Sequence, residues 1–216
     1  MGSDGSTRVK RTGLIATAAF LAMLGTSVQT LFVPLLRLLP DEIGATSTQV
    51  SWMVTAVLLG GVVSTALLGP LADRYGTRRV LMAAIGCFVA GSTLGALTSS
   101  LPLLILARAL QGVCMAAMPI GLGLLRDLVV GDSLVRGLAL VSTMSSIGGS
   151  LGAVVGGVVG EYLGWRWLFI ASIVFGLAAS AAVMAYVPAE HRGQQGRRDM
   201  LGAIGLGVGL VLVIDQ

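Results

Sequence analysis

Gly69-Pro70-Leu71-Ala72-Asp73-Arg74-Tyr75-Gly76-Thr77-Arg78-Arg79 is the stretch on which the reading of this chain turns. It puts four charges, Asp73, Arg74, Arg78 and Arg79, into seven residues between apolar runs at 50–72 and 80–98. A segment this polar does not stay in hydrocarbon, so it marks a place where the chain leaves a bilayer, turns and goes back. Gly69 and Gly76 permit a tight turn because they lack a Cβ. Asp73, just ahead of the next run, stands where an acid favours helix N-termini.

Working outward, the same alternation governs all 216 residues, of which 55% are hydrophobic and 11% charged. Soluble domains carry about a quarter charged residues. A bilayer core about 30 Å thick needs roughly 20 apolar residues at 1.5 Å each. Cutting the chain at its charges, prolines and polar clusters gives six such spans: 13–36, 50–72, 80–98, 102–125, 137–160 and 167–187. Transmembrane barrel strands alternate apolar and polar every second residue, whereas these runs are continuously apolar, so all six read as helices. The first run is too long for a signal-peptide core and five more follow it. The opening Met1-Gly2-Ser3-Asp4-Gly5-Ser6 also fits a myristoylation pattern, which a protein with six spans has little use for. The expected divisions are a cytoplasmic tail at 1–12, a six-helix bundle at 13–187, a cytoplasmic linker at 188–199 and, at 200–216, the start of a seventh helix that stops short of a full span.

The 31 glycines follow no three-residue period, and two cysteines, Cys87 and Cys114, do not make a disulfide scaffold. A net charge of +4 raises nucleic acid as a partner, but the basic residues are scattered between apolar runs, so orientation in the membrane explains them better. Lys and Arg number three before the first span, three at 74–79, two at 126–136 and three at 192–198, while the alternate loops hold Arg37 and Arg166. By the positive-inside rule the N-terminus is cytoplasmic, and the expected location is the cell membrane.

A repeat underlies the pattern. Gly69, Asp73, Gly76, Arg78 and Leu81 are matched 88 residues later by Gly157, Glu161, Gly164, Arg166 and Phe169, and Gly60 and Gly61 by Gly148 and Gly149. The unit holds three spans, an odd number, so its second copy lies upside down in the membrane. Inverted repeats of this kind build many secondary transporters.

The eleven residues quoted first resemble the signature loop of the major facilitator superfamily, which has glycine, leucine, aspartate, arginine, glycine and a basic pair at these spacings after the second span. Arg108, Gln111 and Gly112 resemble the family's arginine, glutamine and glycine motif in span four. Trp52, Thr55 and Ala56, with Trp165 and Arg166, resemble the fourteen-helix drug:proton antiporter branch. Two positions depart from that branch: Ala153 stands where a proline is expected, and Gly25 where many members carry a membrane-embedded aspartate. The resemblance implies an all-α membrane protein, the six-helix N-terminal half of a transporter, whose C-terminal half lies beyond this chain. It implies export of small amphipathic molecules, with the proton as coupling ion, the bilayer as surroundings and no cofactor. An uptake symporter of the same superfamily, or a truncated membrane fragment that carries nothing, are the alternatives.

Candidate site residues fall into three groups. Arg108 is the one charge well inside a complete span, where a charge costs at least about 2.5–3.5 kcal/mol on insertion scales. Function at depth competes with snorkelling to the nearer interface. Gln111, Gly112, Met115 and Met118 share its helical face, and Thr26, Gln29 and Thr30 form a polar stripe on span one. The two stripes line one cavity or bond across helices. The second group, implied by the resemblance, is a conformational gate of Gly69, Asp73, Arg74, Gly76 and Arg78, with Asp127 at the same end of span four. A solvated cluster is the other reading of Asp127. The third is the glycine strip Gly148, Gly152, Gly156 and Gly160, with Gly157 beside it, flat enough for close approach of another helix. Static packing is one reading, and a helix that bends and seals against the opposite half is the other. Cys87, Cys114 and His191 read as packing and surface residues. No GxxxxGK[ST] loop is present, and no complete span holds an acid or histidine, so an enzyme is not expected.

Overall fold

The computed structural model describes residues 3–36 and 39–189. Arg37, the basic cluster at 192–198 and the seventh apolar run lie outside the described residues. Within them the chain is helical: α1 (Ser3–Thr30), α2 (Leu39–Ile43), α3 (Ser47–Tyr75), α4 (Thr77–Leu97), α5 (Leu101–Gly112), α6 (Ala117–Leu128), α7 (Asp132–Tyr162) and α8 (Arg166–Tyr186). A 3₁₀ turn at Val113–Ala116 joins α5 to α6, which together form one crossing, so six helices are long and apolar enough to span a bilayer.

The first crossing departs from the hydropathy reading at both ends. Helix α1 starts at Ser3, upstream of the apolar run, and stops at Thr30 although the run continues to Leu36. Pro34 opens a 3₁₀ turn at Pro34–Leu36, and the short α2 follows beyond it. Proline lacks the N–H that would continue the ladder and disfavours helix in the residue before it, so the chain bends here while staying apolar. The start of α3 is set by a capping box: Thr46 Oγ1 accepts from the Gln49 N–H at 3.3 Å, and the Gln49 side chain accepts from the Thr46 N–H at 2.9 Å.

The helix neighbours follow the 88-residue repeat. Helix α1 packs on α7, and their counterparts α5 and α3 pack on each other. Helix α4 packs on α5 and α8 on α1, again an equivalent pair, while α4 and α8 pack on one another. This is the exchange that an inverted three-helix duplication makes. Backbone geometry agrees at the turns, where Gly76 has φ 98° and Gly164 φ 89°, a region closed to most L-residues. On the axis relating the copies, Phe88 of α4 lies against Gly176 of α8, two residues 88 apart in the chain, and a Cβ on Gly176 would come within 3.0 Å of the Phe88 ring.

The α4–α8 pair is also tied at both ends by equivalent arginines. Arg78, at the start of α4, donates from Nη2 to the Met184 carbonyl near the end of α8 at 2.9 Å. Arg166, at the start of α8, donates from Nη2 to Ser99 Oγ just past the end of α4 at 2.6 Å. In contrast α3 and α7 turn long apolar rows outward, including Leu59, Val62 and Leu67 on one and Leu151, Val154 and Val158 on the other.

Candidate functional site

Helix α5 begins at Leu101 and places Arg108 seven residues, about 10 Å, along its axis. There the side chain is fully buried, as are Gln111 and Ser92, which rules out snorkelling in this conformation. Arg108 Nη1 donates to Gln111 Oε1 at 2.7 Å and Nη2 to the Val28 carbonyl of α1 at 3.0 Å. Gln111 Nε2 donates to Ser92 Oγ of α4 at 2.8 Å, and Ser92 donates to the Phe88 carbonyl at 2.7 Å. The guanidinium carbon sits 4.1 Å from the centroid of Phe32, so the cation also gains the attraction of an aromatic face. Phe32 occupies the bend after α1 and stacks on Phe169, whose neighbour is Trp165. One buried donor, Arg108 Nε, has no hydrogen-bond partner among the described residues.

Part of the expected cavity stripe joins this site. Met115, in the 3₁₀ turn, reaches Gln29, whose Nε2 lies 3.7 Å from the Met115 sulfur. The methionine also fills the space left by Gly61 on α3, where a Cβ would overlap it. Gly112 touches the Val57 carbonyl of α3 too closely to carry a Cβ. Thr26 belongs elsewhere. Its hydroxyl lies 2.8 Å from the Ser145 carbonyl of α7, on another face of α1, so for Thr26 the stripe is a bond across helices.

That other face meets the glycine strip. Gly148, Gly152, Gly156 and Gly160 are buried within this bundle, and a Cβ on any of the first three would overlap α1 or the residue just past it, at Met23, Thr30 and Leu31 respectively. Ser27 adds a bond to the Gly148 carbonyl at 3.0 Å. The strip is therefore a seam between α7 and α1. Gly157 lies beside it, near Pro34.

At the other end of the bundle, Gly69, Asp73 and Asp127 line one cleft of about 190 Å³ between α3 and α6. The arginines of the expected gate take other partners: Arg74 stacks on Tyr75 at 5.4 Å, and Arg78 binds α8 as described. Cys114 is buried and Cys87 half-buried, both as free thiols. Phe32, Ser92 and the Val28 carbonyl had no sequence signal, since each comes from a part of the chain remote from the helix of Arg108.

A buried, hydrogen-bonded cation inside six membrane-length helices with an inverted repeat defines a transporter-type bundle. Residues 15–212 match the family described as Major Facilitator Superfamily, and the chain belongs to that superfamily. It is 31% identical over 207 residues to Rv1877 of Mycobacterium tuberculosis, described as an uncharacterized MFS-type transporter, covering 95% of this chain and 30% of that one. It is 30% identical over 206 residues to MdtD of Klebsiella pneumoniae subsp. pneumoniae, described as a candidate multidrug resistance protein, covering 94% and 43%. The chain thus spans less than half the length of these relatives. The same fold occurs in the proton:xylose symporter XylE, with a TM-score of 0.72 at 14% identity over 83% of this chain and 45% of that one. It occurs too in the human organic anion transporter MFSD10, with a TM-score of 0.62 at 15% identity over 82% and 48%. The family and these relatives are transporters, not enzymes.

Proposed function

We propose that this chain supplies the N-terminal six helices of a secondary active transporter that exports small amphipathic compounds in exchange for protons across the cell membrane, with its N-terminus in the cytoplasm. The observation that carries this reading is Arg108, a fully buried arginine at membrane depth with one donor still open. Burying a charge is costly, and an arrangement that keeps it at depth without a carboxylate from its own helix has a use for it. Arg108 holds an anionic group or tunes a proton site contributed by the second half. Met115, which Gln29 contacts, adds an adaptable, weakly polar side chain suited to varied apolar ligands. The relation to MdtD supports export. Gly25, where the antiporter branch often carries an acid, supports the uptake symporter as the second reading. Asp73 and Asp127 form the cytoplasmic gate on this reading.

Arg108→Lys in the complete transporter tests it. Lysine keeps the charge but not the fork that reaches Gln111 and Val28 together. Losing charged hydrogen bonds of about 1.5–3 kcal/mol corresponds to a fall in transport of roughly tenfold to a hundredfold at equal protein level. Uptake and efflux assays in vesicles with imposed proton gradients read that fall and the direction of coupling. Wild-type rates for the lysine variant reject the role of Arg108, and transport indifferent to the proton gradient rejects the coupling.

A further inference from the structure

The hydrogen bonds around Arg108 run in one direction, and the arginine itself forces that direction. A guanidinium has donors only, so the Gln111 atom facing it at 2.7 Å must be the oxygen. The amide nitrogen of Gln111 then faces Ser92, so the Ser92 oxygen accepts and its own proton goes to the Phe88 carbonyl. All three side chains are fully buried, and no water-facing alternative offers itself to any of them. Without the Ser92 oxygen, the Gln111 NH2 group is a buried donor with nothing to meet. An unpaired buried donor is expensive, so the amide turns or shifts to find an acceptor. Either movement takes Oε1 away from Arg108.

We infer that Ser92, on α4 and outside every motif that marks the family in this sequence, is a positioning residue for Arg108. It acts through Gln111. By accepting the amide it holds Oε1 on Nη1, while Val28 holds Nη2, and together they fix the guanidinium with Nε as its one donor lacking a partner among the described residues. Ser92 touches no substrate. Its location also links the site to the α4–α8 pair, because the same Phe88 whose carbonyl receives the Ser92 proton lies against Gly176 of α8. This inference rests on the transport role of Arg108 proposed above, but its geometry is testable apart from transport.

Three variants of the complete protein decide it: Ser92→Ala, Ser92→Thr and Gln111→Met, with the Ser92→Ala and Gln111→Met pair combined. Threonine keeps a hydroxyl able to bond the carbonyl one turn back. Expected is a loss of transport of roughly tenfold for Ser92→Ala at equal membrane abundance, following from one unpaired buried donor, and recovery to within about twofold for Ser92→Thr. In the Gln111→Met background Ser92→Ala should add nothing, because residues acting through one another are not additive. The second readout needs no transport: with glutamine side chains labelled with ¹⁵N in nanodiscs, the Gln111 amide protons should be protected from exchange in wild type and Ser92→Thr and lose that protection in Ser92→Ala. Equal losses in Ser92→Ala and Ser92→Thr, an additive double variant, or an unchanged Gln111 signal in Ser92→Ala each overturn the assignment. Should the wild type carry nothing in vesicles, the transport reading fails alone, and the amide signal still decides the position of Ser92.

Discussion

The loop between α3 and α4 and the loop between α7 and α8 are copies of one backbone placed at opposite ends of the bundle. Each turns on a glycine with positive φ, Gly76 at 98° and Gly164 at 89°. Each carries an arginine two residues later that reaches the far end of the partner helix, Arg78 to Met184 and Arg166 to Ser99. The remaining side chains part company. Where the first loop has Arg74 and Arg79, the second has Tyr162 and Trp167, and where the first has Thr77, the second has Trp165. Charges collect at cytoplasmic ends and amphipathic aromatics at membrane interfaces. What the two loops share therefore belongs to the fold of the repeat, and on the orientation proposed above the basic residues of the first mark the cytoplasmic side.

Placing the loops on opposite sides is the assertion most easily broken. Alkaline phosphatase fused at Arg78 should be inactive and at Gly164 active, an all-or-none contrast; activity at both or at neither destroys it, and the reverse pattern keeps the loops apart but overturns the proposed orientation. Next in size is the shared turn. Gly76→Val and Gly164→Val each force a side chain into a backbone region suited to glycine, which costs on the order of 1–3 kcal/mol. Thermal unfolding of the purified protein in detergent should show similar losses for both, and a loss at one alone would mean that the turns are not equivalent.

A smaller difference is expected in the acids. Asp73 and Glu161 are both exposed, but Asp73 lines the cleft with Asp127 whereas Glu161 lies at the other end of the bundle. Asp73→Asn should lower transport by the complete protein at least about fivefold, the lower end of typical coupling energies, while Glu161→Gln leaves it near wild type. Membrane insertion should be unaffected in both, and equal transport would remove the gate from the first loop. The least effect belongs to the arginine ties. Arg78→Gln and Arg166→Gln should each cost under about 1 kcal/mol, because partly exposed bonds of charged groups contribute little. The two melting shifts should match, and unequal shifts would show that one tie bears more than its copy.

The six crossings were legible in the sequence because hydropathy reports directly which residues avoid water. The end of α1 was not, because hydropathy is blind to whether an apolar stretch is helical. Leu31 to Leu36 are as apolar as the helix before them, and Pro34 alone signalled the bend that brings Phe32 over Arg108. At the site, the shared face of Arg108 and Gln111 follows from spacing along one helix, whereas that spacing left the burial of Arg108 open against snorkelling. Its contact to Val28 and the bond of Gln111 to Ser92 depend on which helices are neighbours, which no local pattern states. The same ignorance of neighbours left two readings open. Thr26 shares a stripe with Gln29 but faces α7, and the glycine strip that suits a distant partner already holds α1.

The contact between Phe88 and Gly176 has a meaning for how such a protein is made. Two identical three-helix chains meeting on that axis would have to present the same residue to each other. Phenylalanine against phenylalanine would collide, and glycine against glycine would leave a void. Joined in one polypeptide, the two positions are free to differ, so a bulky ring can fill the hollow opposite it. The fused chain thereby obtains a tighter centre than any symmetric pair of its halves, and once ring and hollow have diverged, neither half can go back to pairing with a copy of itself.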